Sequence, residues 1–199
     1  MKKFEGMSDE ELALLYAKGD NRAFDELLSR TQTKLFSYIM FVVRDHTIAD
    51  DLFQETFIKA IVKLQNGMYT DSGKFQFWIS RIAHNVIMDW YRQQQTRHIV
   101  EPNEDNNLEK LRGADLTDSY RESELVNEQV MDDVKRLMNA LPAPQREVVY
   151  MRFFQQLSFK EISDVTGVSI NTSLGRMRYA LFNLRRMAKE HNMELALQM

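Results

Sequence analysis

The 199-residue sequence contains no cysteine, which excludes a disulfide framework, thiol nucleophiles and cysteine-ligated zinc, and agrees with a reducing compartment. Proline and glycine are also scarce, at 3 and 7 residues, too few for the turns that an all-β fold requires. Abundant Leu, Met, Glu, Lys, Arg and Gln instead favour helix, so the expected fold class is all-α. Long apolar runs are missing as well. The opening "MKKFEGMSDEE" lacks the apolar core of a signal peptide, and no stretch approaches the ~18 apolar residues of a membrane span, so a cytoplasmic location is expected. No Ser/His/Asp pattern or phosphate-binding glycine loop stands out, and His46, His84, His98 and His191 are scattered. Asp50, Asp51 and Glu55 can share a helix face, yet no further residue stands at ligand spacing from them. No catalytic residue, metal or cofactor is therefore expected.

What is present is unevenly distributed. The net charge of −3 and pI near 5.9 look wrong for a nucleic-acid binder. Residues 1–98 carry 13 basic and 13 acidic groups, residues 99–139 carry 5 and 11, and residues 140–199 carry 8 and 5. The acid is concentrated in the middle and the last third is net basic. With 44% hydrophobic residues the chain can bury one core or two small ones.

Periodicity orders the first half into helices. Ser8 and Glu11 form an S-x-x-E capping box, and Asp20 can cap a helix in which Phe24, Leu27, Leu28, Thr31, Leu35, Tyr38, Ile39 and Val42 recur at a 3.6-residue spacing. Thr47 with Asp50 offers the next cap, before "IADDLFQETFIKAIVKL", and "QNGMYTDSGK" predicts a loop at 65–74. In "FQFWISRIAHNVIMDWYRQQQ" one side carries Trp78, Ile79, Ile82, Ala83, Val86, Ile87 and Trp90, and another carries Arg81, Asn85, Met88 and Arg92. From Gln93 the period fades and Glu, Asp and Asn accumulate, which predicts a flexible linker unable to bury a core. Helical pattern resumes at Val130, Val134, Leu137 and Leu141, breaks at "LPAPQ", and restarts in "REVVYMRFF", where Pro144 suits a helix's first turn.

Residues 158–181, "SFKEISDVTGVSINTSLGRMRYAL", hold two capping signals around one glycine. Ser158 and Glu161 make a second capping box, Gly167 suits the left-handed position that ends a helix, and Ser169 can cap the next. Two helices joined by a tight turn are predicted. In the second, Ile170, Leu174, Met177, Leu181 and Leu184 are expected to share the inward face, leaving Asn171, Thr172, Ser173, Gly175, Arg176, Arg178 and Tyr179 elsewhere. From Thr166 to Lys189 there are five basic residues and no acidic one. Short polar side chains at a helix N-terminus followed by arginines suit a DNA major groove, where arginine can pair bidentately with guanine. A helical hairpin with a solvated basic face is the plain alternative.

In this order the motifs resemble the sigma-70 family of bacterial transcription initiation factors, in its compact extracytoplasmic function (ECF) branch. "AFDELLSRTQTKLFSYI", "IADDLFQETFIKAI" and "FWISRIAHNVIMDWYR" look like the family's region 2, and "LPAPQREVVYMRFFQQLSFKEISDVTGVSINTSLGRMRYALFNLR" looks like region 4. The resemblance implies two helical domains, a region 2 bundle at 1–97 and a region 4 helix-turn-helix at 126–199, joined by an acidic linker at 98–125. It implies a factor without catalytic chemistry that binds core RNA polymerase, through the β′ coiled coil and the β subunit, and recognises promoter DNA. It also implies an anti-sigma factor as partner, and no small-molecule substrate.

By resemblance, Asp51, Gln54, Glu55 and Ile58 would dock on polymerase. The loop and helix at 67–92 would read the −10 element: Lys74, Arg81 and Arg92 at phosphates, Asn85 at a base edge, and Tyr69 or Phe75 as a stacking ring. Phe77, Trp78 and Trp90 are read as core. The −35 element would fall to Asn171, Thr172, Ser173, Gly175, Arg176 and Arg178, although "NTSLGR" departs from the Thr-Val-Lys-Ser-Arg-like run of many members. Two other classes remain at this point: a stand-alone helix-turn-helix regulator, which predicts palindromic operator binding without polymerase, and a helical adaptor making only protein contacts.

Overall fold

The computed structural model describes residues 4–69, 74–100 and 136–190, and the regular elements among these residues are helical. A first lobe comprises α1 (Asp9–Ala17), α2 (Asn21–Val43), α3 (His46–Gln65) and α4 (Phe75–Val100). A second comprises α5 (Ala143–Phe153), α6 (Phe159–Thr166) and α7 (Ile170–Glu190), preceded by helical residues at 136–139. Beyond Val100, the expected linker at 98–125 lies outside the described residues, as do Val130 and Val134. Among the described residues no helix is long and apolar enough to cross a membrane.

Local chemistry sets most helix starts. The Ser8 hydroxyl accepts from the Glu11 amide at 3.2 Å while the Glu11 carboxylate accepts from the Ser8 amide at 2.8 Å, so two unpaired amides of α1 are satisfied reciprocally. Asp20 caps α2 through the Arg22 amide at 3.2 Å. The expected cap at Thr47 is displaced: Asp45 caps α3, accepting from the Ile48 amide at 3.0 Å. Arg44 ends α2 in the left-handed conformation with φ 64°, which brings Asp45 to extended geometry and puts Thr47 inside the first turn. At the start of α4 the Phe75 amide donates to the Glu10 carboxylate at 2.8 Å, a bond from α1 that no local motif announces. That bond holds the Glu10 carboxyl below its ordinary range, and places a negative charge where the helix dipole favours it.

The first core lies where α2, α3 and α4 meet, around Leu27, Ile39, Leu52, Leu64, Ile79 and Ile87. Each such side chain contributes about 1.5–3 kcal/mol when buried. In the second lobe the Ser158/Glu161 capping box starts α6, and Gly167, with φ 68°, ends it. Ser169 starts α7 by accepting from the Thr172 amide at 3.0 Å.

The inward face of α7 differs from the expected one. Ser173, Met177, Ala180, Leu184 and Ala188 are buried, whereas Ile170 and Leu174 are exposed. The buried stripe is narrow and built on small residues, which permits close approach of α7 to α5 and α6. A ranking by hydrophobicity alone prefers the larger Ile170 and Leu174.

The lobes pack against each other, α5 on α2 and α6 on α4. Phe41 of α2 lies against Tyr150 of α5 at 5.0 Å between centroids, and Tyr150 stacks on Phe154 at 5.1 Å.

Candidate functional site

Three outward surfaces carry most of the residues predicted from sequence. On α3, Asp51, Gln54, Glu55 and Ile58 are all exposed and follow one another at three- and four-residue steps along one face. Ile58 is 61% exposed, and Val62, one turn on, is 50% exposed. Acid at one end and bare aliphatic side chains at the other suit a partner with both cationic and apolar surface. Glu55 pairs with Lys59 at 2.8 Å, and Lys59 approaches Asp89 of α4 at 3.9 Å.

On α4, Arg81, Asn85 and Arg92 share the solvent side. Arg92 pairs with Asp89 at 3.0 Å. The other three residues assigned to this surface are placed differently. Tyr69 is 5% exposed and Phe75 1%, and both pack edge-on within an aromatic cluster completed by Trp78, with Tyr69 centred 5.0 Å from Trp78 and 5.8 Å from Phe75. As stacking platforms for a base they are contradicted in this arrangement, because both rings are used in packing. Trp78 and Trp90, read as core, are half-buried and rest on it. Lys74 is exposed but faces the other lobe, where its ammonium pairs with Glu161 of α6.

On α7, Asn171 and Thr172 are exposed at the N-terminal turn, Arg176 and Gly175 are half-buried, and Arg178 is exposed. The Thr172 hydroxyl lies 2.8 Å from that of Ser169, so it belongs partly to the cap. Ser173 is fully buried, and its hydroxyl meets no hydrogen-bond partner, which removes it from any DNA-facing set. A side chain at 173 follows the 177, 180 and 184 stripe into the lobe.

Glu161 serves two roles. Its carboxylate takes the Lys74 ammonium and both Ser158 donors, which push it down to about 2. The group is thus an anion under any physiological condition, and it ties the α6 cap to the neighbouring lobe.

A fourth constellation escaped the sequence reading. At the seam between lobes Glu147 of α5 is 1% exposed, and its Oε1 accepts from the Tyr38 hydroxyl at 2.5 Å. His84 Nδ1 of α4 lies 2.7 Å from the same oxygen, within hydrogen-bond distance. Burial, then the Glu147 charge, push the Tyr38 phenol well above its usual range. Next to it, buried Arg146 donates to the Val42 carbonyl at the C-terminal end of α2, 2.7 Å away, and to the Asn139 and Leu141 carbonyls at 3.1 and 3.0 Å. Burial lowers the Arg146 guanidinium from its ordinary value, while a cation at a helix C-terminus is favoured by the dipole. The one visible signal is an Arg-Glu pair opening an apolar helix; its partners in the first lobe lie between 63 and 109 positions away in the sequence.

Known proteins resemble this chain over most of its length. The family model "Sigma-70 region 2" matches residues 27–97, and "Sigma-70, region 4" matches residues 131–174. The RNA polymerase sigma factor SigZ of Bacillus subtilis is 30% identical over 154 residues, 77% of this chain and 80% of that protein. The ECF RNA polymerase sigma-E factor of Haemophilus influenzae is 27% identical over 188 residues, covering 92% and 94%. Among solved structures, CnrH in complex with the cytosolic domain of CnrY superposes with a TM-score of 0.62 at 23% identity, over 92% of this chain and 97% of that one. The sigma factor RpoE of Bartonella quintana, solved with the anti-sigma factor NepR, gives 0.62 at 23%, over 83% and 96%. The structures share the fold, and the sequences carry the kinship: this chain belongs to the sigma-70 family of RNA polymerase sigma factors, in the ECF branch.

Proposed function

We propose that the chain works in the cytoplasm as a non-catalytic initiation factor, with each exposed surface given one task. The α3 face of Asp51, Gln54, Glu55 and Ile58 docks on core RNA polymerase, at the β′ coiled coil, and the second lobe engages the β subunit. Arg81, Asn85 and Arg92 of α4 handle the −10 element, with Lys74 joining them once released from Glu161. Asn171, Thr172, Arg176 and Arg178 of α7 read the −35 element, Gly175 allowing close backbone approach. The observation that carries this reading is the coexistence on one chain of an outward acid-and-aliphatic helix face and a helix-turn-helix whose exposed N-terminal turn is polar and then cationic. An anti-sigma factor is the expected controlling partner, since both structural relatives were solved with a protein partner, NepR being named as an anti-sigma factor.

The direct test is run-off transcription from fragmented genomic DNA by core polymerase with and without the protein. Defined start sites that appear only with the protein support the reading, and their upstream sequences reveal both promoter elements. A chain that adds no start sites and fails to bind core polymerase overturns it. The docking face has its own check: Asp51→Lys combined with Gln54→Ala should weaken core binding at least about tenfold while helicity stays unchanged, the two side chains being solvent-exposed.

A further inference from the structure

We infer that Leu174 of α7, extended by Ile170 one turn before it, is a specificity residue that contacts the C5-methyl group of a thymine in the −35 element. The inference rests on the proposed assignment of α7 to that element and deepens it, by naming the base that an apolar side chain selects.

Both side chains defy the ordinary logic of burial. Ile170 is 44% exposed and Leu174 40%, while Ser173, Met177, Ala180 and Leu184 fill the inward stripe. Ser173 occupies its inward place with a hydroxyl that meets no hydrogen-bond partner. The helix is thus turned to keep a polar residue inside and two larger aliphatic ones outside. Leu174 also stands within the reading strip: it follows Asn171 by three residues and precedes Arg178 by four, which makes the three neighbours on one outward face. Helical side chains lean toward the N-terminus, so Leu174 lies over the turn of Ile170 and the two form one apolar contact area.

The occupant follows from chemistry. From Thr166 to Lys189 the chain is free of acid, and exposed Arg178 and Arg185 accompany Leu174 along the helix, a setting that fits a polyanion. In the major groove the base pairs display acceptors, donors and a single kind of apolar group, the thymine methyl. Leucine offers neither donor nor acceptor. Against a guanine, cytosine or adenine edge it strips water from a polar group and replaces nothing, whereas against thymine it buries methyl on methyl. Leucine reaches less far than arginine or lysine, so its contact requires the helix to lie deeper in the groove. Gly175, the next residue, permits that approach by placing no side chain there, and a Cβ at this position would meet nothing within 4 Å, so packing inside the lobe does not call for the glycine. The leucine and the glycine of "SLGR" serve one contact.

Deoxyuridine keeps the base pairing and the O4 acceptor of thymine and lacks only the methyl. Promoter duplexes taken from the run-off start sites would carry this replacement at one −35 thymine at a time, and fluorescence anisotropy would measure their binding to polymerase holding the full-length chain. At one position the parent should lose about fourfold in affinity, the worth of burying one methyl group. Polymerase holding Leu174→Ala should bind that duplex and its thymine counterpart equally, a non-additivity that a purely structural role for the leucine does not produce. Far-UV circular dichroism should show unchanged helicity, alanine being a strong helix former. A −35 element without thymine, uracil tolerated by the parent at every position, or a uracil loss undiminished in both Leu174→Ala and Ile170→Ala overturns the methyl contact. Failure of the underlying reading looks different: if Arg176→Ala also leaves −35 affinity unchanged, or no start sites appear, α7 is removed from the element and the methyl contact falls with it. Weakening by Arg176→Ala without any uracil effect removes the methyl contact alone.

Discussion

At the scale of single residues the most informative side chain is Glu161, which combines a helix cap and an ion pair across the seam. Its carboxyl is pushed down to about 2 by Lys74 and by the Ser158 donors, from an ordinary value of 4.5. A depressed carboxyl pKa contributes stability that is complete above the unfolded value and is lost as pH falls toward the folded one. The midpoint of urea unfolding should therefore drop between about pH 4.5 and 2, and the difference between parent and Glu161→Gln should shrink across that same window. A difference independent of pH would remove the ionic role. Ser173 and Arg176 form a contrast on one helix. Ser173→Ala deletes a buried hydroxyl without a partner, so stability should hold or rise by about 1 kcal/mol, and promoter binding should not change. Arg176→Ala should cost about 1–3 kcal/mol in −35 binding with the thermal midpoint unmoved, as measured on promoter fragments that keep or lose that element.

At the scale of elements, α7 carries a glycine in its interior at position 175, where a helix former would be expected. A Cβ built at Gly175 meets nothing within 4 Å, so packing does not require the glycine. Gly175→Ala should stabilise the second lobe by about 0.5–1 kcal/mol, because alanine loses less conformational freedom in a helix. If the α7 backbone approaches DNA at this point, the same substitution lowers −35 affinity while thermal stability rises, a pairing that calorimetry and fluorescence anisotropy detect together. Unchanged affinity would leave the glycine without a DNA role. The α3 face is built by the opposite logic. Leu52, Thr56, Phe57, Ala60 and Leu64 bury one side, so Asp51, Gln54, Ile58 and Val62 emerge on the other at the same helical spacing.

At the scale of the whole molecule, the seam subordinates the separate lobes to one arrangement. The free chain should bind promoter duplex weakly, because only one reading surface at a time can meet a duplex while the lobes are packed, and the net charge is −3. Core polymerase should convert the same promoter into a tight ligand. Electrophoretic mobility shifts at ~150 mM salt, with and without polymerase, check this, and tight sequence-specific binding by the free chain would contradict it.

The sequence by itself determined the helices, most of their caps and the two-lobe order, because these follow from contacts within a few residues. Ser8 with Glu11 and Ser158 with Glu161 form the predicted capping boxes, Gly167 takes the left-handed position, and Arg81 and Asn85 emerge opposite Ile79, Ile82 and Val86. Only the tertiary structure decided what depends on distant neighbours. Tyr69 and Phe75 are drawn into an aromatic cluster with Trp78, and Ser173 is turned inward by the small-residue stripe of α7. The Phe75 amide is capped by Glu10 from sixty-five positions away, and Glu147 finds Tyr38 and His84 across the seam. Periodicity reports which side of a helix is apolar; it carries no record of which other helix arrives there, and a buried carboxylate acquires its partners only from that arrival.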